Sequence, residues 1–110
     1  MEKDFIIEKK EKDLHCKFNT SHIIHYEDSE YFKNRIIAEA NGCVNVIIDM
    51  AGLKHASSQI FGTIICLVKI TKENGGFVYC LNTEDTIKKL FEITKIQRLI
   101  KYSLDFEKGE

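Results

Sequence analysis

The alternation of apolar and polar residues changes period several times along the chain, and each change marks an element. Phe5 to Glu8 and Leu14 to Phe18 flank the polar turn Lys9-Lys10-Glu11-Lys12-Asp13. In the second segment Leu14, Cys16 and Phe18 alternate with His15 and Lys17, the period of a half-buried strand. Asn19-Thr20-Ser21 then breaks the pattern. From Asp28 or Ser29 the spacing becomes helical, with Tyr31, Phe32, Ile36, Ile37 and Ala40 on one face, and Asn41-Gly42 ends it. Val44 to Ile48 is a continuous β-branched run, the pattern of a strand buried on both faces.

The run ends in Asp49, and after a short turn Ser57-Ser58 open a second helical segment reaching Lys72. Its apolar stripe carries Ile60, Phe61, Ile64, Ile65, Leu67 and Val68. Gly75-Gly76 lead into a buried strand from Phe77 to Leu81. A third helix is expected over Glu84 to Ile93, with Ile87, Leu90, Phe91 and Ile93 inward, followed by a short strand between Ile96 and Tyr102. Asp105 to Glu110 is expected to fray. The order β-β-α-β-α-β-α-β predicts an α/β fold with a mixed, mostly parallel sheet.

Length and charge narrow the function. A chain of 110 residues supports one domain with one core. A net charge of -1 argues against a dedicated nucleic-acid binder. The longest apolar stretch, around Ile64 to Val68, is too short to cross a bilayer, and only three apolar residues follow Met1-Glu2-Lys3-Asp4 before further charge. A cytoplasmic location is therefore expected. Cys16, Cys43, Cys66 and Cys80 are scattered, with no close pair, and read as reduced apolar residues. His22-x-x-His25, with His15 and Cys16 nearby, lacks the second close pair that zinc sites use, so no metal is expected.

The candidate chemistry gathers at the start of the second helix. A serine there either caps the helix or offers a hydroxyl for phosphorylation where backbone N–H groups and the helix dipole favour negative charge. Asp49 is expected to hold the turn Met50-Ala51-Gly52. His55 stands close enough in sequence to steady a phosphate when charged. Gly75 and Gly76 read as a structural turn using positive φ. No nucleophile–base pair or phosphate-binding loop is visible, which disfavours an enzyme or nucleotide-binding domain, and no cofactor is expected.

These landmarks resemble the STAS domain, the fold of bacterial anti-sigma factor antagonists and of the cytosolic tails of sulphate transporters. The family pattern has a strand ending in Asp, then D-S-S-G-L-G opening a helix, a Gly-Gly turn before the next strand, and a Thr-Gly pair after the third helix. Here Asp49, Ser58, Gly62, Gly75-Gly76 and Thr94 occupy those positions. Ser57 stands in place of the family acid, Gln59-Ile60 in place of Ser-Gly, and Lys95 in place of the last glycine. Ser21 and Ile24 fall where the loop after the second strand often carries Gly and Asp.

The resemblance implies a non-enzymatic regulator that binds a kinase-type anti-sigma factor. Phosphorylation of Ser58, with Ser57 as fallback, would break the complex, and a PP2C-type phosphatase would reset it. Ile23, Ile24, Ser57, Ser58, Gln59, Ile60 and Thr63 are the expected partner-binding residues, a surface less polar than in typical antagonists. The altered motif also suits a second role, an adaptor or scaffold subunit of a lipid-transport or stress-sensing assembly.

Overall fold

The computed structural model describes residues 4–104; the expected fraying of 105–110 lies outside them. The elements are β1 (Phe5–Lys10), β2 (Asp13–Phe18), β3 (His22–Ile23), α1 (Tyr26–Ala40), β4 (Asn45–Asp49), β5 (His55–Ala56), α2 (Ser58–Glu73), β6 (Val78–Leu81) and α3 (Asp85–Ile93), followed by a 3-10 turn over Ile96–Arg98. The main sheet runs β1-β2-β4-β6, antiparallel between β1 and β2 and parallel thereafter. It is a mixed, mostly parallel α/β sheet, as the alternation of strand and helix periods predicts.

The register divides the sheet residues between two faces. Phe5, Phe18, Leu14, Cys16, Val46, Ile48, Val78 and Cys80 share one face and join a single core with Phe32 and Ile36 of α1, Ile60, Ile64 and Leu67 of α2, and Ile87 and Phe91 of α3. On the opposite face Ile6, His15, Lys17, Ile47, Asp49 and Leu81 line an open hollow. The β-branched run of β4 is thus buried for two reasons. Val46 and Ile48 lie under helices, while Ile47 is flanked by His15 and Tyr79, its register neighbours, and keeps only 9% exposure toward the hollow.

Several boundaries differ from expectation. α1 begins at Tyr26 rather than at Asp28 or Ser29, because His25 takes the cap position and its carbonyl accepts from the Ser29 amide at 3.0 Å. Ile93 points to solvent, 76% exposed, and Leu90 is also exposed, so only Ile87 and Phe91 anchor α3. The expected final strand shrinks to one bridge between Lys101 and Tyr79. Its apolar residues Ile96 and Ile100 are buried four apart, a helical spacing, and the chain coils through the 3-10 turn before touching the sheet.

The two glycines at the α2–β6 turn serve different ends. Gly75 has φ +83°, the left-handed region that disfavours a side chain. Gly76 does not use positive φ; a Cβ there would fall 1.8 Å from the Val44 carbonyl oxygen, so glycine is required by close backbone approach. Lys95, where the family pattern has glycine, keeps the left-handed conformation at φ 65°.

Candidate functional site

The loop between β4 and α2 is held from both sides. Asp49 Oδ1 accepts from the Ala51 amide at 3.0 Å and from Asn82 Nδ2 at 3.1 Å. The Glu84 carboxylate accepts from the Gly52 amide at 3.2 Å, and Thr86 Oγ1 donates to the Lys54 carbonyl at 3.1 Å. Met50 and Leu53 are buried beneath it. On the other side the Ser21 carbonyl accepts from the amides of Lys54 and His55, at 2.8 and 3.1 Å. β3 and β5 then pair in parallel, setting His22 beside His55 and Ile23 beside Ala56.

This framework delivers the two serines to different environments. Ser57 occupies the cap position of α2, yet its hydroxyl does not cap the helix. It meets the Ser29 hydroxyl at 2.7 Å, and Ser29 is fully buried. Ser58 is the first helical residue and is exposed. The first-turn amides of a helix lack the usual intrahelical acceptors; here the Ile60 amide donates to the Ser57 carbonyl at 3.0 Å, and no side-chain cap from Ser57 takes the others. An anion on Ser58 would therefore stand where the helix dipole favours it.

The remaining predicted residues separate into surface and core. The Ser57 amide donates to the Ile23 carbonyl at 2.9 Å, which brings Ile24 alongside the start of α2. Ile24 is 50% exposed and the neighbouring Tyr26 70% exposed. Gln59 is half-buried and its side-chain amide donates to the Glu30 carboxylate. Ile23, Ile60 and Thr63 are buried and so leave the surface expected of them. Ile60 belongs to the core stripe it shares with Ile64 and Leu67, and Thr63 Oγ1 donates to its own helix, to the Gln59 carbonyl at 2.9 Å. The candidates that remain at the surface are exposed Ile24 and Ser58 and half-buried Gln59, with exposed Tyr26, His22 and His55 added by the fold.

Sequence patterning passed over Ser29 and Glu30, although the signal exists. Ser29 continues the Phe32–Ile36–Ala40 stripe by one helical step, and a serine on a core stripe needs a buried partner. Among the described residues no cluster of three His, Cys, Asp or Glu side chains could hold a metal ion. No described helix is long and apolar enough to cross a membrane. Burial pushes the Cys16 thiol up to about 12, with Asp49 adding to the shift, so this residue beneath the site is a neutral packing group.

The STAS domain family model matches residues 7–109. The chain is a STAS domain. Solved structures of similar shape include a candidate anti-sigma factor antagonist from Thermotoga maritima, at 17% identity and TM-score 0.75, covering 94% of this chain and 90% of that one. The unphosphorylated anti-sigma factor antagonist SpoIIAA aligns at 14% identity and TM-score 0.77, covering 94% and 91%. The phosphorylated form of the Bacillus cell fate determinant SpoIIAA aligns at 15% identity and TM-score 0.68, covering 94% and 95%. No curated protein sequence matches the chain significantly. At these identities the structures speak for the fold.

Proposed function

We propose that this STAS domain is an anti-sigma factor antagonist whose partner is a kinase-type anti-sigma factor, and that Ser58 is the phosphorylated switch. The observation that carries the reading is the division of labour between the adjacent serines. The Ser57 hydroxyl is engaged with buried Ser29, whereas Ser58 is exposed at the start of α2. Ile24 and Tyr26 supply apolar contact area beside it. Phosphorylation would add roughly two negative charges to this surface and weaken a complex formed by the neutral hydroxyl. A PP2C-type phosphatase would restore the binding form, and the domain itself would catalyse nothing.

The test is incubation with the cognate kinase and ATP, followed by intact-mass analysis and complex titration. One phosphate is expected on the wild type and none on Ser58→Ala, and Ser58→Asp should weaken the complex at least tenfold. A phosphate on Ser57 would move the assignment. None at all, with a verified partner bound, would remove the switch. That last outcome selects the second reading, a constitutive adaptor or scaffold subunit in the cytoplasm. The observation favouring it is that Ser57, Gln59 and Ile60 replace the family motif and are all committed internally, to Ser29, Glu30 and the core.

A further inference from the structure

A second surface lies at the other end of the molecule. Ser58 follows the C-terminal end of β4, whereas Phe77 precedes the N-terminal end of β6, and the two strands are parallel. The C-terminal turns of α2, residue 77 and the end of the 3-10 turn enclose a groove of about 230 Å³ there. Val68, Phe77 and Leu99 give it apolar walls, and Lys72 and Arg98 stand on its rim. Phe77 and Leu99 remain 47% and 46% exposed. The Lys101 ammonium lies over the Phe77 ring, 4.6 Å from its centroid, bringing a third cation to the same apolar wall. No carboxylate among the described residues lines the groove. Among the described residues the salt bridge is Lys10–Glu8, on β1, and none joins Lys72, Arg98 or Lys101 to a described carboxylate.

In a chain of net charge -1, three cations around an apolar cleft form a local positive field with a hydrophobic floor. Enclosed small-molecule sites run from roughly 300 to 1,000 Å³. This groove is smaller and open along its length, so it suits one large apolar side chain better than a sequestered ligand.

We infer that this groove docks an acidic amphipathic segment of a partner protein, which inserts one apolar anchor between Phe77 and Leu99 while its carboxylates face Lys72, Arg98 and Lys101. Lys72 stands fourteen residues beyond Ser58 on α2, roughly 21 Å along the helix at 1.5 Å per residue. The groove and the serine pole can therefore be occupied together. The inference does not rest on phosphorylation of Ser58.

The test uses fluorescein-labelled peptides of sixteen residues titrated against the full chain in low salt. One carries Glu on its polar face and Leu or Phe at helical spacing; a second has Lys for every Glu; a third keeps Glu and replaces the apolar residues by Ser. The first should bind, and the other two should bind at least tenfold more weakly. Lys72→Glu with Arg98→Glu, and separately Leu99→Ser, should each weaken the first peptide at least tenfold. These positions are exposed, so unchanged circular dichroism and melting would confirm intact variants, and Ser58→Asp should leave binding unaltered. Amide chemical shifts should move at Val68, Phe77 and Leu99. Absence of binding, equal binding of the lysine peptide, shifts confined to the Ser58 pole, or binding only to anionic phosphatidylglycerol vesicles would each overturn the assignment.

Discussion

The hydroxyls of Ser29 and Ser57 meet at 2.7 Å and join the first turn of α1 to the cap position of α2. The bond exchanges an ordinary helix cap for a tie between helices, leaving Ser58 as the serine hydroxyl on the outside. Ser57→Ala should strand the buried Ser29 hydroxyl and destabilise the fold by about 1–2 kcal/mol, measured by urea unfolding. Ser29→Ala should cost about as much. The double variant should lose clearly less than the sum, because one interaction underlies both losses.

Gly76 and Gly75 should respond differently to alanine. Gly76→Ala places a methyl group against the Val44 carbonyl and should cost more than about 3 kcal/mol or prevent folding. Gly75→Ala meets no neighbour and bears only the left-handed backbone penalty, about 1–2 kcal/mol. Denaturant midpoints of the two variants check the order.

Lys95→Gly should be neutral to stabilising by about 0.5 kcal/mol. It relieves the left-handed strain at φ 65°, and the greater freedom of glycine in the unfolded chain offsets part of that gain. A rise of the thermal midpoint by a few degrees at most is expected; a clear fall would show that the lysine side chain stabilises the turn.

Thiol reactivity should separate the cysteines. Burial, and secondarily the proximity of Cys16, pushes the Cys80 thiol up to about 12, as burial does for Cys16 itself. Half-buried Cys66 should react first with a disulfide reagent at pH 8, and Cys16, Cys43 and Cys80 only on unfolding. Because the folded values of Cys16 and Cys80 lie above that of an unfolded thiol, the native state holds its protons longer. The associated stability is complete below about pH 8.5 and is lost as pH rises toward 12, so the urea midpoint should fall across that window.

The longer elements were legible because their side chains keep one period for several turns. α2 shows its stripe through Ile60, Ile64 and Leu67, and β2 alternates through Leu14, Cys16 and Phe18. That same stripe identifies Ile60 as core, which overrides its place next to Ser58 as a reason to expect it at an interface. β3 and β5 are two residues each, too short for any period, and they exist because Ser21 and Ile23 carbonyls receive the amides of Lys54, His55 and Ser57. The segment from Ile96 to Ile100 misled because isoleucines suit a strand, while the left-handed turn at Lys95 set the chain coiling instead. Asp49 and Ser58 were placed by motif spacing, but the partner of Ser57 depended on α1 packing across α2, a contact distant in sequence.

The loop from Met50 to Ser57 is anchored by groups of seven other residues: Asp49, Leu81, Glu84, Thr86, Ser21, Ile23 and Ser29. Any enzyme that modifies Ser58 therefore meets an acceptor whose flanking backbone is already committed, and it cannot draw that backbone out as an extended strand. It must read a folded contour, so a free peptide spanning residues 52–64 should be a poor substitute for the whole domain. A protein that docks beside Ser58 meets a rigid relief, and little chain entropy is lost on association.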